Sequence, residues 1–548
     1  MEERGIDIAA SVLLDNPMSR RHFLAAAGSF SVATVLAACG TSTGTTSGTR
    51  QWAKAPITFV FVDTQEPSHL DPALVNEFDA FSIIRNIYDP LTWTDEASSK
   101  LVPWLATSWE SSADALTHTF HLRSGVVFHD GSKLDADTVK LNLDRYKAIG
   151  APGEGYLLDD VAEISVVDSM TVRIRTSKPD TWVAAHLVKF PILSGQAIRQ
   201  NKTASDPWAK TFFEAHPVGC GAYKFDSWQK GSQITLTKNE QWWRGWRPGS
   251  IDRVIIKPVT ESSTRVELVQ RGEANFCTEW SIDDALAVGK RSGFSLKQYN
   301  TYDTDPIIFM NQKKPPFDKK LVRQAFQWAF DYDAMRNFFK GYSTAMAGTF
   351  PPSYPQAAKD LPTFKQDPAK ARSLLSQAGV DPASLDISFM TPTGYNDLVA
   401  GATITQASLQ KIGVKVSVRQ LPFGQIVSAF SSPTTAAMMT DLYNSPFTLD
   451  PTQFLAEYLP TAFAHSFSNY DNPEVPKLID KIQSTGDAAT QQTLLNEVQH
   501  KLVDDAPCIW GGTPKTLVVV PDYLDGYVMQ TTDYRFPCLF YLLRVAAH

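Results

Sequence analysis

The sequence predicts an α/β protein built as more than one lobe, and three observations carry that expectation. A strand–helix–strand rhythm runs from Leu385 to Gln420: Leu385–Met390 reads as a strand, Asn396–Lys411 as a helix and Gly413–Gln420 (GVKVSVRQ) as a second strand. That unit calls for a sheet of its own. Far upstream, Ala55–Val62 (APITFVFV) is β-branched and aromatic, which suits a buried strand. With 548 residues, 43% hydrophobic and 20% charged, the chain can bury the cores of roughly two to four domains. Its net charge of −7 lacks the basic footprint of a nucleic-acid binder.

Taken in order, the first residues are targeting sequence rather than fold. Ser19-Arg20-Arg21-His22-Phe23-Leu24 reads as a twin-arginine export signal. The run Phe23–Ala38 is too short and too rich in Ala, Ser and Gly to span a membrane. It ends Leu36-Ala37-Ala38-Cys39, which resembles a bacterial lipobox, so Cys39 is the expected lipidation site and mature N-terminus. Gly40–Gly48 contains only Gly, Ser and Thr, a flexible tether. Folding before export keeps Cys220, Cys277, Cys508 and Cys538 reduced, and their spacings give no CxxC or zinc pattern. They read as small buried hydrophobes, with a late Cys508–Cys538 pair as the alternative.

Ala55–Val62 runs into Asp63-Thr-Gln-Glu66-Pro67-Ser-His69-Leu70-Asp71-Pro72, either a ligand loop at a strand end or an ordinary connection. Next comes the segment Ile83–Tyr146. Leu116, His118, Phe120 and Leu122 alternate with Thr117, Thr119, His121 and Arg123, the period of a half-buried strand. Asp130-Gly131 marks a turn. Asp135 reads as a helix N-cap, and Val139, Leu143 and Tyr146 as the apolar face behind it. Val161–Arg175 is an expected hairpin turning at Asp168-Ser169, and Ser227–Asn239 another turning at Lys230-Gly231. Arg253–Val259 is a strand, and Ser263–Gly272 a short helix with a Gly stop. Ile307–Asn311 is a strand. Asp318 is the expected cap of a helix whose stripe is Leu321, Val322, Ala325, Trp328 and Ala329. Asp367–Ala378 is a helix ended by Gly379, and Ala437–Leu442 a short strand. Two helices follow, Val475–Thr485 and Ala489–Val503, before Ile509–Val545 returns as strands.

Several of these stretches share a resemblance. "IYDPL", "LVPWLATSW" and "THTFHLRSGVVFHDGSKLDADTV", then "HPVGCGAY" and "PPFDKKLVRQAFQWAFDYDAM", are similar to the signature blocks of the peptide/nickel-type, family 5, extracellular solute-binding proteins of ABC importers. The resemblance implies a two-lobed, type II periplasmic-binding-protein clamshell of three domains with the first split over the chain. On that pattern 1–38 is the signal, 39–53 the tether, 54–73, 191–301 and 509–548 domain I, 74–190 domain II and 302–508 domain III. It also implies a monomer on the periplasmic or outer cell surface, held to the membrane by lipid, with an ABC permease as partner and no nucleic acid.

Relatives that bind peptides carry Gly-Trp, then an Asp shortly before Asp-Pro, and that Asp holds the peptide amine. Here the segment is Asp441-Leu-Tyr443-Asn444-Ser-Pro-Phe447-Thr-Leu-Asp450-Pro451, without the Gly-Trp. The loop Thr391-Pro-Thr393-Gly-Tyr395-Asn396 lacks the Arg that holds a peptide carboxylate in some dipeptide binders. A zwitterionic short peptide is therefore not the ligand to assume, and a neutral, amphiphilic or aromatic solute is at least as well matched. The expected site combines the Glu66–His69 loop, the Thr393–Asn396 loop and the Asp441–Phe447 segment. Tyr395, Tyr443 and Phe447 are its apolar walls. Asn444 and Asp441 orient the solute, with Asp441 as the carboxylate able to replace the missing anchor. Thirteen Trp and seventeen Tyr serve either core packing or such a pocket.

Enzyme readings fare worse. Ser227/Lys230 and Ser408/Lys411 match S-x-x-K, with Tyr470-Asp-Asn472 and Lys515-Thr516 in a penicillin-binding order. The first pair falls in a hairpin, the second ends a helix, and Lys515-Thr516 lacks the following Gly. There is no HExxH, G-x-S-x-G or P-loop, and the ten His are scattered. Neither a cofactor nor a protein-only metal site is expected. A clamshell sensor without transport is the second alternative.

Overall fold

The run at Ala55–Val62 folds as the strand Thr58–Asp63, at the heart of the first lobe of the computed structural model. The structure describes residues 51–75, 80–95, 100–150, 155–302, 304–432, 434–444, 448–459, 465–529 and 538–547. The signal, tether and Cys39 lie outside them. Thr58–Asp63 pairs in parallel with Arg253–Pro258 on one side and Phe276–Cys277 on the other. Gln233–Lys238 and Tyr223–Gln229 extend the sheet. A strand with a neighbour on each side and cover on each face is apolar throughout, as Phe59, Phe61 and Val62 are, all fully buried.

The alternating stretch is confirmed as the strand Thr117–Leu122, with His118, Phe120 and Leu122 buried. It lies within a four-stranded antiparallel sheet with Ala106–Ser111, Thr171–Thr176 and Val161–Asp168. Helix Ala136–Ile149 covers it. Asp135 caps that helix by accepting from Thr138 N at 2.8 Å, and Val139, Leu143 and Tyr146 face the core. One apolar core gathers side chains from 57–276 and again from 518–545. Within it Asp89 accepts indole N–H groups from Trp104 (2.7 Å), Trp242 (3.3 Å) and Trp243 (2.9 Å). These three tryptophans pack the core rather than a pocket.

A second core gathers side chains from 302–510. Its five-stranded sheet runs Lys415–Leu421, Asp386–Pro392, Met439–Asn444, Thr304–Met310, Cys508–Trp510. The expected strand–helix–strand unit is its first part, with helix Asn396–Gln410 crossing between parallel strands. The Asp318 cap is a correction: helix Lys320–Ala329 starts from Lys319, without a side-chain cap bond. Phe317 N and Lys319 N instead close a turn onto Lys314 O and Pro316 O.

Two antiparallel chains pass between the cores. Phe294–Asn300 pairs with Thr513–Pro521, and the strands that follow and precede them, Thr304–Met310 and Cys508–Trp510, pair in the second sheet. Gly511 N donates to Pro306 O at 2.8 Å, and a Cβ on Gly511 would stand 2.6 Å from Pro306 Cδ, so this crossing requires glycine. The four described cysteines are buried and unpaired, as the first reading had it. The alternative Cys508–Cys538 disulfide is not formed, because Cys508 belongs to the second core and Cys538 to the first.

Candidate functional site

Three parallel strands of the second sheet, Asp386–Pro392, Lys415–Leu421 and Met439–Asn444, end on one edge. The helix after Asp386–Pro392 leads to a neighbour on one side, and Met439–Asn444 lies on the other. That is a switch point, where α/β sheets open a crevice. Thr393 N donates to Leu421 O at 2.9 Å and ties two strand ends together. Tyr395 (39%) and Phe423 (38%) stay exposed here, unusual for large apolar groups with a core nearby. The Tyr395 ring lies 5.7 Å from that of Tyr443. Tyr443 OH donates to Asp397 Oδ1 at 2.7 Å, and Leu398 N donates to the same oxygen at 3.0 Å. Asp397 opens a fifteen-residue helix, where a carboxylate is favoured by the helix dipole.

Thr393, Tyr395 and Asn396 thus share an exposed loop with Tyr443 beside it. Asn444 is the last residue of its strand, opposite Thr304. Phe447 lies outside the described residues. Phe423 and Asp397 were not among the expected residues. The signal for Phe423 is the end of the second parallel strand at Leu421-Pro422. For Asp397 it is a helix start directly after Tyr395-Asn396.

Asp441 requires a correction. Met439, Asp441 and Tyr443 share one face of their strand, and the Tyr443–Asp397 bond shows that helix Asn396–Gln410 covers that face. Asp441 is fully buried beneath it, and neither carboxyl oxygen has a hydrogen-bond partner. Burial pushes its pKa well above the usual carboxylate range. The Thr391 hydroxyl beside it opposes that rise without reaching hydrogen-bond geometry, and Asp397 adds to it. Asp441 is an interior group that burial pushes toward its protonated form, and the acid at the partly exposed edge is Asp397.

On the first lobe, Glu66 is held within its own sheet. Its Oε1 accepts from Trp228 Nε1 at 2.5 Å and from Gly231 N at 2.8 Å. His69 Nδ1 is buried without a hydrogen-bond partner. Asp71, in the same loop, forms a fully buried ion pair with Arg145: Nη1 donates to Oδ1 at 2.9 Å, and Nη2 to Oδ2. The loop is thus anchored by two acids that serve the fold, and His69 is its polar group with unmet capacity.

The S-x-x-K pairs do not form acyl-enzyme geometry. The Ser408 hydroxyl is buried and accepts from Asp331 N at 3.1 Å, while Lys411 Nζ donates to Asp331 and Gln366, both at 2.9 Å. Among the described residues no group of three or more His, Cys, Asp or Glu is placed to hold a metal ion. No described helix is long and apolar enough to cross a membrane.

Comparison with known proteins agrees with this geometry. A family model described as bacterial extracellular solute-binding proteins, family 5 Middle, matches residues 100–465. The glutathione-binding protein GsiB of Pectobacterium atrosepticum is 30% identical over 479 residues, 85% of this chain and 91% of that protein. The periplasmic binding protein DppA of Helicobacter pylori, solved with the peptide STSA, is 25% identical with a TM-score of 0.75. The match covers 91% of this chain and 99% of that one. The substrate-binding protein CtaP of Listeria monocytogenes shares the fold, with a TM-score of 0.79 at 21% identity over 89% of this chain and 99% of that one. The fold is the two-lobed α/β clamshell expected from the sequence, and these are binding proteins rather than enzymes.

Proposed function

The chain belongs to family 5 of the bacterial extracellular solute-binding proteins, and from that premise we propose that it captures a peptide-like or other small organic solute between its lobes and delivers it to an ABC permease. The observation that carries the reading is the strand-end edge of the second lobe. There the Tyr443 hydroxyl holds the Asp397 carboxylate, the Tyr395 ring lies against Tyr443, and Phe423 stands exposed at the end of the neighbouring strand, on a lobe joined to the first by two chain crossings. Apolar walls with a few fixed polar groups are what small-molecule sites require. The glutathione and peptide named for relatives support a solute of that class. Thr393, Asn396 and Asn444 flank the same edge, with His69 and Glu66 on the loop of the opposite lobe. Closure around the solute makes the form a permease recognises. Cys39 carries the lipid anchor after twin-arginine export, and the protein acts as a monomer at the outer face of the membrane.

Titration calorimetry with glutathione and the peptide STSA tests this. Tyr443→Ala should weaken binding by roughly 1.5–3 kcal/mol, the scale of burying a large apolar side chain. For a ligand with a free amine, Asp397→Asn should cost about 1.5–3 kcal/mol, as for a hydrogen bond to a charged group. Asp441→Asn should be nearly silent toward binding. Tight binding of either probe, insensitive to Tyr443→Ala and Asp397→Asn, contradicts the site.

A further inference from the structure

Away from the two crossings, the lobes meet at a buried ionisable cluster. His186 ends the short helix Val183–His186, whose Val183 and Ala184 belong to the first core. Its Nε2 lies 3.0 Å from Asp450 Oδ2, and its Nδ1 lies 3.5 Å from Asp180 Oδ2. Asp180 is on the same lobe as His186. Asp450 precedes Phe454 and Leu455 of the second core. The three side chains are 7%, 13% and 3% exposed for His186, Asp180 and Asp450. Around them Thr181 N donates to Gln483 O at 2.9 Å, and Gln491 Nε2 to Thr181 Oγ1 at 3.2 Å, again from lobe to lobe. Asp450 is held in place by Thr452, whose N and Oγ1 donate to Oδ1 at 2.8 and 2.7 Å.

Nε2 of His186 is thus hydrogen-bonded to the Asp450 carboxylate, and Nδ1 faces the Asp180 carboxylate without a hydrogen bond to it. A neutral imidazole has one N–H and turns a lone pair toward the other acid, whereas an imidazolium donates to both. We propose that His186 and Asp450 form a proton-linked latch: closing the lobes brings Asp450 onto a charged His186, so closure takes up protons and is favoured at low pH. Asp450 lies a few residues beyond the Tyr443–Asn444 strand end assigned to the solute. The proposal rests on closure of the clamshell, not on the identity of the solute.

The surroundings agree in sign. Burial alone would push the His186 pKa down, but Asp180 and Asp450 outweigh it and the net direction is up, with a smaller push from Asp160. Asp160 is itself paired with Lys178 at 3.3 Å. His118, on the strand Thr117–Leu122, lowers the Asp180 pKa; its own is lowered, by burial first, and its nitrogens face Ser111 Oγ and Ala115 O. Burial raises the Asp180 carboxyl, with His186 holding it down. Opening removes Asp450, so the His186 pKa falls. The latch then contributes fully below the open-state pKa and is lost as pH rises through the closed-state value.

The test uses the unlipidated chain, wild type, His186→Gln and Asp450→Asn, with no added solute, so its failure is distinct from failure of the ligand reading. Histidine Cε1 carbon NMR from about pH 5 to about pH 9 gives the His186 midpoint, its signal assigned by its loss in His186→Gln. Solution scattering on the same samples gives the radius of gyration. The expected result is a His186 midpoint above the ordinary histidine value, lowered in Asp450→Asn, with a radius that grows through that midpoint in the wild type and stays flat in His186→Gln. A His186 midpoint at or below the ordinary value and unchanged by Asp450→Asn, with the same scattering course in all three proteins, overturns the proposal.

Discussion

Arg145→Met is the sharpest test of how the first lobe holds its strand-end loop. Arg145 and Asp71 are both fully buried, and their side chains are paired through two hydrogen bonds. Arg145 Nε also donates to Trp208 O at 2.9 Å, and Ala73 N donates to Asp71 Oδ1 at 3.0 Å. Removing the guanidinium leaves a carboxylate out of water with two of its hydrogen bonds gone. Breaking a buried pair from one side costs about 3–5 kcal/mol, because the surviving charge keeps its desolvation penalty. At roughly 2 °C per kcal/mol for a large domain, the first-lobe transition should fall by about 6–10 °C. Removing both charges in Arg145→Met/Asp71→Leu should recover most of that loss. The residue would be the unmet Trp208 carbonyl and Ala73 amide, each worth about 1 kcal/mol. Differential scanning calorimetry of the wild type, single and double variants reads all three values. A single variant within about 1 kcal/mol of wild type, or a double variant no better than the single, refutes the argument.

Three further outcomes follow from the sequence and the site. Cys39→Ala should release the protein from membranes, since the lipid supplies the affinity. Retention of that variant in the pellet after a salt wash contradicts the lipobox, and Arg20→Lys with Arg21→Lys should separately block export. Asp441→Asn should raise the thermal midpoint, increasingly as pH rises. The folded-state pKa of Asp441 is raised, so above the ordinary carboxylate range the unfolded chain has lost a proton that the folded chain keeps, and wild-type stability falls with pH. Parallel melting curves of the two proteins across pH would contradict this placement of Asp441.

Local signals carried much of the fold. The alternation at 117–122, the Asp135 cap, the helix expected at Asp367–Ala378 and the strand–helix–strand unit at 386–421 are each encoded within a few residues. The strand Phe294–Asn300 was not legible, because Lys297 and Gln298 interrupt its pattern and its identity comes from pairing with Thr513–Pro521. Helix Phe423–Phe430 was also missed. Asp318 looked like a cap because its residue type suits one, but the turn around Pro316 delays the helix start. In the site, strand-end loops were readable, but the occupation of Glu66 was not, since its partners lie 162 and 165 residues away. Asp441 and Asp397 were separable only once the covered face of the strand was known, because alternation alone does not say which face a helix takes.

The central claim is that the two lobes close on a small organic solute, and one experiment addresses it directly. Protein purified without refolding is analysed by native mass spectrometry, the co-purified solute is identified, and it is returned at saturation to emptied protein during solution scattering. The account predicts one solute per chain, and a smaller radius of gyration with higher thermal stability when it is added back. An identified solute that binds at saturation yet leaves the scattering curve unchanged would contradict it.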